Sequence, residues 1–135
     1  MIAIDTNVLV YAFNADEGAK YAKSRAILKT AFDGKLDLYI PLQVLGEFIA
    51  ASTRKGRTPL SREQAIEIVR NICNCPNITI LRYTEETLIR TQGLKAPFWD
   101  ALITQTLLEN GVRTLYTENT KDFVHSGIKA INIFA

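Results

Sequence analysis

Five short apolar runs punctuate the chain, and the stretches between them have the residue spacing of helices. The runs are Met1–Ile4, Leu36–Ile40, Asn77–Leu81, Val112–Tyr116 and Ala130–Phe134. MIAI at the start has no polar alternation and is rich in isoleucine, so it reads as a strand buried on both faces, the kind found in parallel sheets. NITIL after Pro76 is β-branched and apolar and also reads as a strand. Parallel strands need long crossovers, and helices between successive runs supply them. The pattern predicts an α/β fold, a three-layer sandwich with a central parallel sheet of four to five strands, helices on its faces and right-handed crossovers. At 135 residues the chain fits one domain over 1–135, so a single site is expected.

The helices carry their own boundary signals. Asn7–Phe13 follows Asp5 and Thr6, both competent caps. Gly18–Asp33 sets Tyr21, Leu28 and Phe32 on one side and Lys20, Lys23, Arg25 and Lys29 on the other. Pro41 suits the first turn of PLQVLGEFIAASTRK, a helix expected to end near Lys55–Gly56. Ser61 and Gln64 have the spacing of a capping box ahead of Ile66, Val69 and Ile72, in a helix reaching about Cys73. Thr84 caps Glu85–Gln92, and the apolar helix FWDALITQTLLENG closes at Gly111, where a left-handed cap is expected.

Composition narrows the function classes. Hydrophobic residues at 47% and charged residues at 22% describe an ordinary soluble globular protein. A formal charge of +2 permits an RNA partner without requiring one. No apolar stretch is long enough to span a bilayer, and the first residues show no secretion signal, so no membrane association and a cytoplasmic location are expected. Cys73 and Cys75, with His125 as the only further soft ligand, fall short of a structural zinc set and read as reduced thiols. His125 receives no role, since no serine or cysteine nucleophile motif accompanies it.

Acids fall where chemistry is expected. In a parallel sheet, the segments after the strands gather along one edge, the usual ligand site of open α/β folds. Asp5 follows the first strand, Glu47 lies among Val44, Leu45, Phe48 and Ile49, and Asp100 lies among Phe98, Trp99, Leu102 and Ile103. Taken singly, Asp5 reads equally as a helix cap, and Asp100 as a carboxylate at a helix start. Taken together, carboxylates brought to one point repel one another unless a cation sits among them, and no basic residue adjoins them in sequence. A hard divalent ion, Mg²⁺ or Mn²⁺, is the natural counter-charge. A fourth acid is expected in TENTKDF: Asp122, with Glu118 as a rival and Thr117 and Asn119 as hydroxyl and amide helpers.

IDTNVLVYAF, VLGEFIAASTRK, FWDALITQTLLENGVRTLYTENTKDF and the closing strand, in this order, resemble the PIN-domain nucleases, and among them the toxins of VapBC-type toxin–antitoxin pairs. The resemblance spans essentially the whole chain and implies a metal-dependent endoribonuclease using one or two Mg²⁺ or Mn²⁺ ions. It matches Asp5, Glu47 and Asp100 to the family's main metal-site acids and Asp122 to a more variable fourth. It matches Thr6, Asn7, Thr117 and Asn119 to positions that orient the acids or bound water. Basic residues on the RNA's approach would come from Lys20, Lys23, Arg25, Lys29 and Arg62, and above all from Arg54, Lys55 and Arg57. The resemblance also implies a small antitoxin partner and a homodimer, the latter supported by the exposed-looking aromatics Tyr11 and Phe13. The alternatives are a stand-alone PIN-domain RNA-processing nuclease and a non-catalytic RNA- or protein-binding module of the same fold. An aspartyl-phosphate phosphatase is disfavoured, because it wants an acid two residues after Asp5, where Asn7 stands.

Overall fold

β1 (Ile2–Ile4) occupies the middle of the sheet, and Ala3 and Ile4 are fully buried, as an apolar run without alternation requires. The structure is a computed structural model and describes residues 1–54, 60–124 and 126–135. Lys55, Arg57 and His125, named above, lie outside the described residues. Four further strands complete the parallel sheet in the order β3-β2-β1-β4-β5: β2 (Leu38–Pro41), β3 (Ile78–Leu81), β4 (Thr114–Tyr116) and β5 (Lys129–Ile131). Ile2 pairs with Leu38 on one side and Thr114 on the other, which fixes the register of the centre.

From β1 the chain moves outward through β2 to β3, then returns past β1 to β4 and β5. With right-handed crossovers this reversal puts helices on both faces. α1 (Thr6–Tyr11), α2 (Ala19–Phe32), α3 (Leu42–Ser52) and α4 (Arg62–Cys73) pack against one another in one layer, and α5 (Glu85–Arg90) packs on α6 (Phe98–Glu109) in the other. Short 3-10 turns stand at Ala15–Glu17, Thr91–Gly93 and Thr120–Phe123. Phe48, Phe123, Ile4, Leu9 and Leu107 are among the largest fully buried side chains. The reversal of strand order falls between β1 and β4, so the crevice beyond their carboxyl ends is the topological switch point where such sheets bind ligands.

Local signals match the expected caps. Ser61 accepts from the Gln64 amide while Gln64 accepts from that of Ser61, completing the capping box of α4. Gly111, at φ +69°, closes α6 in the left-handed region. Four expectations need correction. α3 stops at Ser52, because Thr53 leaves the helical region at φ −109° and ψ 6°, its hydroxyl turned back onto the Ile49 carbonyl. β5 is Lys129–Ile131, not Ala130–Phe134: β4, its one partner, ends opposite Ile131, and the chain then turns to lay Phe134 edge-on against Tyr11. Tyr11 and Phe13 are half-buried rather than exposed, with Phe13 packed edge-on against Phe48. Phe32, expected inside, is exposed, since the buried line of α2 runs through Ser24, Leu28 and Ala31.

Candidate active site

Asp5 is both the cap and the acid that the sequence left as alternatives. Its Oδ1 accepts from the Thr6 amide at 2.7 Å and starts α1, while its Oδ2 accepts from the Thr117 hydroxyl at 2.7 Å. Thr117 is fully buried at the end of β4, and its oxygen also accepts from the Asn119 amide at 3.0 Å. Burial pushes the Asp5 carboxyl up from its ordinary value; the Thr117 and Thr6 hydrogen bonds oppose that, and Glu47 and Asp122 add repulsion.

Glu47 reaches the same crevice from α3. Its Oε1 accepts from the Thr6 hydroxyl at 3.1 Å and from Gln43 Nε2 at 3.0 Å. Gln43, one turn earlier on the helix and nearly buried, also donates to the Trp99 carbonyl at 3.0 Å, which ties α3 to the first turn of α6. Sequence reasoning missed Gln43; its signal was the four-residue spacing to Glu47 on one helix face.

Asp100 stands in that first turn of α6, half-buried. Its pKa is pushed up to about 6, first by burial and then by repulsion from Asp122, Asp5 and Glu47. Asp5, Thr6, Asn7, Glu47, Asp100 and Asn119 line one cleft of about 380 Å³, which Arg54 also borders. Asp122 lines the neighbouring groove, yet its charge helps to raise the pKa of both Asp100 and Asp5. Asn119 therefore shares the cleft itself, and Asp122 acts on it through its field. Asn7 accepts from the Glu118 amide at 3.3 Å, bracing the segment after β4.

Glu118, the rival fourth acid, is engaged elsewhere: Oε1 accepts from the Tyr11 hydroxyl at 3.1 Å and Oε2 pairs with Lys20 at 2.9 Å. The other basic residues of α2 are partly committed too. Arg25 donates to the Ala12 carbonyl and lies over the Phe13 and Tyr21 rings, and Lys29 pairs with Asp33. Among the described residues, none of Asp5, Glu47, Asp100 and Asp122 forms an ion pair, nor do three such side chains already close around one point as a metal shell. The donors on this wall are carboxylate, hydroxyl and amide oxygens, the chemistry that suits a hard divalent cation.

The PIN-domain family model matches residues 2–126. The chain belongs to the PIN-domain family. No curated protein matches it in sequence. Its fold is similar to that of Mycobacterium tuberculosis VapC20, a sarcin-ricin loop cleaving toxin, at 16% identity and a TM-score of 0.68 over 95% of this chain and 96% of that one. It is similar to FitAcB from Neisseria gonorrhoeae at 17% identity and TM-score 0.66, covering 98% and 97%. It is also similar to VapBC2 from Rickettsia felis, solved bound to a DNA fragment from its promoter, at 21% identity and TM-score 0.63, covering 98% of each chain. Among the described residues of this PIN-domain chain, no helix is long and apolar enough to cross a membrane.

Proposed function

We propose that this PIN-domain chain is a divalent-metal-dependent endoribonuclease, acting as one domain in the cytoplasm as the toxin of a toxin–antitoxin pair. The observation that carries the reading is the convergence of Asp5, Glu47 and Asp100, from three separate elements, on one cleft where no cation among the described residues is paired to them. Asp5, Glu47 and Asp100 would hold one or two Mg²⁺ or Mn²⁺ ions, and Asp122 would contribute from behind Asp100. When bound, the ion supplies Lewis acidity toward a phosphodiester and lowers the pKa of water near neutral pH.

The chain's own residues do the rest. Thr117 and Thr6 fix the two oxygens of Asp5, and Thr6 and Gln43 fix one oxygen of Glu47, so those carboxylates are oriented before substrate arrives. Among the described residues Asp100 has no such brace, and burial beside three other acids makes it the carboxylate that gains most from a bound cation. Arg54, exposed at the rim, would bind a backbone phosphate of an unpaired RNA strand. The folds of FitAcB and VapBC2 support a small antitoxin partner, and a homodimer belongs to the same reading; light scattering that finds only monomer at micromolar concentration counts against the dimer.

The test uses wild type and Asp100→Ala with mixed-sequence single-stranded RNA in Mg²⁺, Mn²⁺ or EDTA. Cleavage that requires both the metal and Asp100 is expected. Failure to bind metal in a direct titration would remove the basis of the proposal.

A further inference from the structure

A second groove lies beside the acidic cleft, and its charge is of the opposite sign. Lys95 and Lys121 flank it against the single carboxylate of Asp122, whereas the acidic cleft sets Asp5, Glu17, Glu47 and Asp100 against Arg54. Both lysines are exposed, and neither forms an ion pair among the described residues. Leu94, Pro97 and Val124 give the groove an apolar wall, with Val124 60% exposed. Its volume is about 430 Å³, inside the range of about 300–1,000 Å³ usual for small-molecule sites. Thr104 at its edge is buried with its hydroxyl unpartnered among the described residues, although Thr106 on the same helix returns its hydroxyl to the Leu102 carbonyl. A buried hydroxyl without a partner is costly unless water or a ligand meets it.

We propose that this groove is a nucleotide subsite: it takes the RNA nucleotide next to the one being cleaved, with its phosphate between Lys95 and Lys121 and its base on Leu94, Pro97 and Val124. The proposal rests on the nuclease reading and deepens it. The two compartments divide the substrate's chemistry between them. The acidic cleft repels a bare phosphate until a cation is present, while the lysine groove attracts one without help. α6 and the segment after β4 wall both compartments: Asp100, Ile103 and Asn119 line the cleft, while Pro97, Thr104, Lys121 and Asp122 beside them in sequence line the groove. A strand leaving the acids over this wall meets the lysines. Arg54 stands at the acidic cleft itself and so leaves the groove's role to Lys95 and Lys121.

The experiment compares wild type with Lys95→Gln/Lys121→Gln and with a control, Lys35→Gln/Lys129→Gln, which removes the same charge beside the amino ends of β2 and β5. Cleavage kinetics are measured on an unpaired hexanucleotide and on a dinucleotide in Mn²⁺. Anisotropy reports hexanucleotide binding in an Asp100→Asn background that halts turnover. Expected for the groove variant are a KM for the hexanucleotide raised about tenfold, much more than kcat falls, and a salt slope reduced by about 0.7 for the lost phosphate contact. The dinucleotide has one phosphate, which the acids use, so its kinetics should match between variant and wild type. Equal hexanucleotide KM and salt slope in groove variant and wild type would overturn the subsite while leaving the nuclease reading intact. An equal loss in the control variant would also overturn it, by reducing the effect to net charge. No cleavage and no RNA binding by wild type would remove the nuclease reading and the subsite together.

Discussion

Replacing Asp100 with asparagine should stabilise the metal-free protein while abolishing cleavage. The carboxyl is displaced from 3.8 to about 6 by burial and by its acidic neighbours. At about 1.4 kcal/mol per tenfold change in proton affinity, this is a ceiling of about 3 kcal/mol. Asp100 is only half-buried, and solvent screening brings the figure to about 1 kcal/mol. The sign follows from proton binding: between pH 4 and 6 the native state holds this proton more tightly than the unfolded chain, so its contribution to stability falls as pH rises through that window. Above about pH 6 the whole penalty is present, and asparagine, of nearly the same shape, removes it. Thermal unfolding in EDTA at pH 7 should therefore place Asp100→Asn about 3–5 °C above wild type, and at pH 4 the two should nearly coincide. Saturating Mn²⁺ should raise wild type more than the variant and close the gap. A variant less stable than wild type at pH 7 in EDTA, or a gap that does not change with pH, would refute the claim that the acids repel one another across the cleft.

Thr117→Val removes the hydroxyl on Asp5 Oδ2 and the acceptor of the Asn119 amide; stability should fall by about 1–3 kcal/mol, and the acid limb of the cleavage pH profile should move upward as Asp5 loses the bond that holds its pKa down. Gln43→Leu frees Glu47 and the Trp99 carbonyl, and kcat/KM should fall about tenfold with an unchanged circular dichroism spectrum. Gly111→Ala forces φ +69° on a residue with a side chain; it should cost about 1 kcal/mol, read as a lower Tm with cleavage at 25 °C unaltered.

What was legible in the sequence was whatever local pattern dictates. MIAI showed its strand because burial on both faces excludes polar alternation, and NITIL because β-branched residues follow Pro76. Asp5 and Asp100 could be read because each sits where an apolar segment ends or a helix begins, positions at which a carboxylate needs a reason. Glu118 could not be separated from Asp122 on paper, since its capture by Tyr11 and Lys20 depends on how the first two helices lie against the segment after β4. The same holds for Tyr11 and Phe13, which look exposed until Phe134 and Phe48 are packed on them. The dual bond of Gln43 likewise exists only once α3 and α6 meet. The lysine groove depends on residues that converge only in the fold, 93–97 on one side and Lys121, Asp122, Val124 and Ser126 on the other.

The hydrogen bond between Asp5 and Thr117 joins positions 112 residues apart. A polypeptide emerging from the ribosome at about 5–20 residues per second therefore exposes its first acid several seconds before the group that orients it has been synthesised. Through that interval β1 has no β4 to lie against, and the carboxylates have no common cleft. On the nuclease reading proposed above, this sets a built-in delay: the newborn chain stays inert until nearly all of it has been made.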